Sequence, residues 1–338
     1  MPGYCQPSGV ALCRQLRQLQ ITTSTKGLML VQMPKRRFHT IILQRYGDTK
    51  MVRLEFSTEL GYDVQAPGCD FIFNIQAAYT PRQFVVYESL QLSPDVTSTA
   101  YTDPATQNRF LRLHADAGRL TLRYNAVVEL THFEASANQL PELSPQALPG
   151  DVLPYLYPSR YCQSDRLLTL ASQEFGHLRL GYSRAHAICE WVQRHVTFQG
   201  NTSSSATSAL DTLIERVGVC RDFAHLMIAL CRAANLPARM ASGMDYGADP
   251  ILGPPDFHAY VEVFLGDRWY IFDPSGTAIP MGFVRFATGR DAADIAFATI
   301  FGSVNAAQPI ISIQAVVNSQ GQLVVPQHVG YALSTDGL

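Results

Sequence analysis

The sequence lacks a C-x-x-C pair, a long apolar run and a glycine-rich phosphate loop. Each absence removes a class of protein. Its seven cysteines (5, 13, 69, 162, 189, 220 and 231) are odd in number and widely scattered. That spacing gives neither a disulfide framework nor a zinc ribbon, and a reducing cytoplasm is the simplest setting for it. No apolar stretch approaches the ~20 residues of a membrane-spanning helix, so no membrane role is expected. Without a phosphate loop or a cluster of metal-ligand spacing, we expect no cofactor and no metal. Charge is also scarce. Charged residues make up 16% of the chain and the net charge is −2, which gives no general attraction to nucleic acid. What is present is hydrophobic residue, 47% of 338 positions, enough for one large globular domain or two of ordinary size.

Residues 1–50 differ from the rest. They hold eight Lys/Arg and one acidic residue, +7 against −9 for the remainder. There is no apolar core followed by a small-residue cleavage site, so a secretory signal is not expected. An Arg-rich, acid-poor stretch of this kind fits a transit peptide or a disordered extension. We expect the extension, produced by a start codon placed too early, with the fold beginning near Met51.

From residue 52 to 132 the pattern is that of strands. Val52, Leu54 and Phe56 alternate with Arg53 and Glu55, and apolar runs follow at 71–77, 83–92, 109–115 and 119–130. The segment "HADAGRL" reads as a hairpin turn between the last two. Several strands without an intervening helix predict a β-sandwich over 51–145. Pro and Ser then cluster across 141–159, and a linker is expected at 146–160. Helical periodicity predicts helices at 164–176, 183–196 and 208–218. The third starts with a capping-box-like Ser208-x-x-Asp211 and ends at Gly218, suited to a left-handed C-cap. A further helix from Cys220 to Asn235 and a hairpin of 258–265 with 268–273, turning at Gly266-Asp267, complete an α+β second half, the domain 161–338.

Cys220 stands at a helix start. The unpaired N–H groups of the first turn and the positive end of the helix dipole favour a thiolate there, and can hold an oxyanion afterwards. A nucleophile needs a base and the base an orienter. His225 is nearest in sequence, but five residues at ~100° each turn it about 140° away around the helix. It is expected to be structural, and the same geometry rules out a zinc site with Cys231. His258 begins one strand of the hairpin and Asp273 ends the other, which brings them side by side. Asp273 is expected to accept the Nδ1–H of His258.

The segments "GVCRDFAHLMIALCRAANLPARMASG", "FHAYVEVFLGDRWYIFDP" and "GRDAADIAFATIFG" resemble the bacterial transglutaminase-like proteins, of the transglutaminase/papain-like superfamily. The resemblance covers about residues 51–305. It implies a papain-like core behind an N-terminal β region, with Cys220 attacking a carboxamide or peptide carbonyl, His258 moving the proton and Asp273 orienting it. The implied partner is a peptide or protein substrate. Members include cross-linkers, peptidases, amidases and inactive scaffolds. The expected activity is a cysteine peptidase or amidase, with a protein-glutamine amine transferase or a non-catalytic scaffold as alternatives.

Around this set, Asp222 is read as a helix-start acid fixing local geometry. The Gly- and Pro-rich stretch 242–257 is read as a binding loop, with Tyr246 and Asp256 as candidate substrate contacts. Trp269, on the hairpin, either lines the cleft or packs the sheet, and packing is the favoured reading. The segment 289–302 is read as a short helix supporting the core.

Overall fold

The structure is a computed structural model that describes residues 21–23, 29–31, 50–247 and 256–336. Most of the expected extension at 1–50 lies outside the described residues, as do residues 248–255 of the expected binding loop. Met1–Thr49 forms a unit of its own, in which Ile21–Thr23 pairs antiparallel with Met29–Val31. The second unit spans Lys50–Leu338.

The strand-rich first part contains β1 (Val52–Val64), β2 (Cys69–Phe73), β3 (Gln83–Ser93), β4 (Ser98–Thr102), β5 (Arg109–Ala115), β6 (Gly118–Leu130) and the short β7 (Phe133–Ala135). Helices follow: α1 (Leu168–Phe175) and α2 (Tyr182–His195), then β8 (Thr197–Phe198), α3 (Ala209–Glu215), β9 (Val217–Gly218) and α4 (Cys220–Ala233). The chain returns to sheet with β10 (Ala238–Met244), β11 (Phe257–Leu265), β12 (Arg268–Phe272) and β13 (Val284–Gly289). After α5 (Ala292–Ile295) come β14 (Ala298–Phe301), β15 (Val304–Ala306), β16 (Ile310–Val316) and β17 (Ala332–Ser334).

Two antiparallel sheets make the sandwich. One has the order β15-β1-β6-β3, with β16 also on β1; the other runs β14-β2-β5-β4. Period-two alternation turns Leu54, Phe56 and Leu60 of β1, Phe71 and Phe73 of β2, Leu111 and Leu113 of β5, and Leu120, Leu122 and Tyr124 of β6 into one buried cluster. The expected hairpin at "HADAGRL" is not one. β5 and β6 lie in different sheets, each facing the shared core, and Gly118, at φ 134°, carries the chain across. Periodicity reports which side chains are buried, and it does not report which sheet buries them.

The sandwich is also not an N-terminal module. Three of its strands, β14, β15 and β16, come from residues 298–316, inside the 161–338 span expected for the second domain. The segment 289–302 accordingly starts as the helical turn α5 and ends as a sheet strand. The expected linker is pinned as well. Leu143, Leu148, Val152 and Tyr155 pack with Phe264 and Trp269 in a small separate core.

The remaining sheet, β12-β11-β10-β13, is the scaffold of the site. One face packs on the helices through Met240, Val261, Val263 and Phe272. The other packs on the sandwich through Ala241, Tyr260, Ile271 and Phe286, with Phe286 5.7 Å from Phe56 between ring centres. A sheet covered on both faces explains the nearly unbroken apolar run of β11 and β12. α4 is buried on every side from Asp222 to Ala233, which makes it the central helix of the second half. α3 carries the expected capping box: Asp211 Oδ2 accepts from the backbone N–H of Ser208 at 2.9 Å. Its left-handed C-cap is Arg216, at φ 59°, while Gly218 pairs in β9.

Candidate active site

α4 begins at Cys220 for local reasons. Val219 is the N-cap in an extended conformation, and valine has no side-chain acceptor to offer. Asp222, three residues on and fully buried, supplies one: its Oδ2 accepts from Val219 N–H at 2.9 Å. Gly218 is needed for space, since a Cβ there would stand 2.7 Å from Asp222 Cβ. The N–H groups of Cys220 and Arg221 are next in the turn and have no acceptor within the helix.

His258 starts β11 and Asp273 follows β12. Residues 265 and 268 are paired across Gly266, which takes φ 61°, as the hairpin reading expected. His258 and Asp273 meet, but through the other ring nitrogen: Nε2 of His258 lies 3.2 Å from Asp273 Oδ1. The register explains this. Val261 pairs with Phe272, so His258 stands two residues, ~7 Å of strand, beyond the position facing Asp273. The distal nitrogen spans that stagger. The other ring nitrogen, Nδ1, stands 3.3 Å from Asp245 Oδ2, and Cys220 lines the same cavity as His258 with its sulfur 4.0 Å from the Phe257 carbonyl oxygen.

The site is strongly polarised. Burial alone would lower the pKa of His258. The charge and hydrogen bond of Asp273 outweigh that, with a further contribution from Cys220, and hold the imidazolium well above the ordinary histidine value. Asp273 is pushed up by burial and pulled down further by His258, Ser275 and Ala278, with a net lowering. Its Oδ1 accepts from Ser275 Oγ at 2.7 Å and its Oδ2 from Ala278 N–H at 3.2 Å. Gln193 of α2 donates to the Asp273 carbonyl at 2.9 Å and ties the helix layer to this turn.

Cys220 and His258 open into a cavity of about 550 Å³. Its walls come from the 198–203 loop, the start of α4, the strands β10 and β11, and the segment around Phe297. Asp256 lines it. Tyr246 and Trp269 do not line it. Tyr246 packs against Gly282, and Trp269 lies between Tyr155 and Phe264 with the Arg239 guanidinium 4.3 Å above its ring. Trp269 therefore packs, the favoured of its two readings. His225 is structural: it stacks on Tyr161 at 4.9 Å, accepts from Ala292 N–H at 3.2 Å, and burial holds it neutral with a pKa of about 3.

One residue at the centre carries no sequence signal. Asp245, 5% exposed, places Oδ2 3.3 Å from His258 Nδ1. Burial raises its pKa above the usual aspartate value, against the pull of His258. It follows β10 directly, and Gly243 of that strand pairs with His258. Among the described residues no cluster could hold a metal ion, and no helix is long and apolar enough to cross a membrane.

Comparison with known proteins places the fold. Residues 171–274 match the transglutaminase-like superfamily core, and residues 51–150 match the bacterial transglutaminase N-terminal domain. A proposed cysteine protease from Cytophaga hutchinsonii has a crystal structure that superposes with a TM-score of 0.78, at 37% identity over 84% of this chain and 97% of that one. The chain belongs to the transglutaminase-like superfamily. An uncharacterized protein of Mycobacterium leprae is 26% identical over 258 residues, 73% of this chain and 91% of its own length. A Mycobacterium tuberculosis protein matches at 30% identity over 110 residues, 35% of its length. Superfamily membership carries the general expectation of thiol-dependent hydrolase or transferase chemistry and a mixed α/β fold with papain-like topology.

Proposed function

We propose that this protein is a thiol-dependent hydrolase of peptide or carboxamide bonds, a cysteine peptidase or amidase, with Cys220 as nucleophile. The observation that supports the reading is that a cysteine at the start of a buried helix shares one cavity with His258, whose Nε2 lies 3.2 Å from Asp273 Oδ1.

The thiol proton passes to His258 Nδ1, and the resulting imidazolium is stabilised by Asp273. The thiolate attacks the carbonyl carbon, and the developing oxyanion is held by N–H groups of the first turn of α4. The C–N bond then breaks. The leaving nitrogen takes the proton from Nδ1 and departs as an amine, and the acyl group remains as a thioester on Cys220. A water gives a proton to Nδ1 and attacks the thioester, and the C–S bond breaks to release the acid and restore the thiolate–imidazolium pair. An amine in place of that water would make the protein a transferase. The reaction needs no cofactor, and a cytoplasmic location, inferred from cysteine spacing, belongs to the same proposal.

The test is the pH dependence of Cys220 alkylation by iodoacetamide, read by peptide mass spectrometry in wild type and His258→Ala. Fast labelling below pH 7 that the variant loses is expected. Slow labelling in both proteins, rising only near ~8.5 as for a free thiol, would leave the chain a scaffold.

A further inference from the structure

The cavity contains polar atoms that the chemistry above does not use. Asp245 spends Oδ2 on His258, but its Oδ1 has no hydrogen-bond partner although the residue is 5% exposed. On the same lining, the Ser242 hydroxyl is also buried and unpartnered. Asp256, which also lines the cavity, receives the Phe257 N–H on Oδ1 at 2.7 Å. Buried polar groups are nearly always matched by partners, so two unmatched ones on residues that line a cavity point to a ligand that completes them.

Charge gives the same description. Two cationic side chains line the cavity, Arg221 and His258. The Arg221 guanidinium is occupied by Asp222 Oδ1 at 3.2 Å and by the Ser204 carbonyl at 2.8 Å. His258 contacts two carboxylates, Asp245 at 3.3 Å and Asp273 at 3.2 Å, and a third, Asp256, lines the same cavity. One imidazolium cannot neutralise three, and burial raises both Asp245 and Asp256 above the ordinary value.

The position relative to the chemistry is also fixed. If His258 Nδ1 delivers the proton to the leaving nitrogen, that nitrogen comes within ~3 Å of Nδ1 in the step. Asp245 Oδ2 is 3.3 Å from the same atom. Asp245 therefore lies beside the departing amine.

We propose that Asp245, Asp256 and Ser242 form a cation subsite beside Cys220, so that the amide cleaved there has an amine portion bearing a second, positively charged group. The inference rests on the acyl-transfer reading of Cys220 and specifies its substrate class: amides of diamines, or peptides with a basic or free amino group a few bonds beyond the scissile nitrogen. An ammonium has three donors and no acceptor, which suits a wall of two carboxylates and a hydroxyl.

The test needs no natural substrate. Methanethiosulfonates transfer their thioalkyl group to a thiolate, forming an S–S bond and releasing methanesulfinate. Cys220 modification is followed by peptide mass spectrometry at pH 7 and low salt. The reagents are trimethylammonioethyl, methyl and sulfonatoethyl methanethiosulfonate, each rate divided by that of 2-mercaptoethanol. We expect the cationic reagent to exceed the neutral one by roughly tenfold or more, the scale on which a cleft of one sign accelerates an oppositely charged partner, and the anionic reagent to lag. The cationic-to-neutral ratio, measured within each protein, should fall toward one in Asp256→Asn and recover in Asp256→Glu. A wild-type ratio near one, or a preference for the anionic reagent, overturns the subsite while fast neutral labelling keeps the acyl-transfer reading. Neutral labelling no faster than in unfolded protein overturns both.

Discussion

Asp273→Asn removes one charge from the site with little change of shape. The Nε2–Oδ1 separation is 3.2 Å, which at an effective dielectric constant of ~20 corresponds to about 5 kcal/mol of attraction for the imidazolium. Against it stands a burial penalty of several kcal/mol for the same ion. The attraction outweighs the penalty, and Asp273 decides the sign. With asparagine, burial lowers the His258 pKa and Asp245, 3.3 Å from Nδ1, is the nearest remaining carboxylate. At pH 6 an unassisted thiol of pKa ~8.5 is only ~0.3% thiolate, so the largest possible loss in alkylation rate is roughly 300-fold. We expect Asp273→Asn to lose between about 10- and 300-fold at pH 6, and Asp245→Asn combined with it to reach the full ~300-fold loss. The amide also presents an NH₂ toward donors such as Ala278 N–H, so thermal unfolding must be followed in parallel, with an expected cost of about 1–3 kcal/mol. Wild-type and Asp273→Asn labelling profiles that superimpose between pH 5 and 9 would refute the role given to this charge.

Other perturbations test the scaffold. Arg239 and Arg285 converge on Asp336 and Glu262, and their charge, working against burial, holds the Asp336 carboxyl far below its usual pKa. A depressed carboxylate stabilises the fold above the unfolded value of ~3.9 and loses that contribution as pH falls through the folded value. Asp336→Asn should therefore cost about 3–5 kcal/mol near neutrality, and the gap in denaturation midpoint should narrow below pH 4. Gly243→Ala would put a Cβ 2.0 Å from the Val284 carbonyl. Calorimetry should show a loss of about 3 kcal/mol or more, together with slower Cys220 labelling, because β10 also positions Asp245. Asp222→Ala removes the Val219 cap and should cost about 1–2 kcal/mol in urea unfolding. Truncation after residue 296 uncovers the edges of β1 and β2 and should yield aggregate by light scattering.

The parts of this architecture that were legible in the sequence are those set by local periodicity and capping. α4 starts at Cys220 because a glycine, an extended valine and Asp222 lie in a row, and each is visible in one dimension. The pairing of His258 with Asp273 follows from a two-residue turn and the lengths of two strands. The ring nitrogen involved depends on a two-residue stagger, which a turn alone does not set. The assignment of β5 and β6 to different sheets depends on their pairing with β2 and β1 rather than with each other, and that of residues 298–316 to the sandwich on partners more than 220 residues distant. Alternating hydrophobicity is the same whichever sheet accepts a strand. Asp245 was invisible for a similar reason, since a lone acid after a strand of small residues carries no pattern until β10 is laid beside β11.

The late strands of the sandwich also bear on how the chain is made. β1 ends at residue 64, yet its outer edge is covered by β15 and β16, which end at residue 316. At ~5–20 residues per second a ribosome needs roughly 10–50 s to cover that interval. During it, a thirteen-residue strand rich in valine, leucine and phenylalanine waits with one edge open. The nascent protein thus cannot finish its first layer before its last is synthesised. It should depend on holding chaperones during translation, and should respond poorly to fast, warm overexpression.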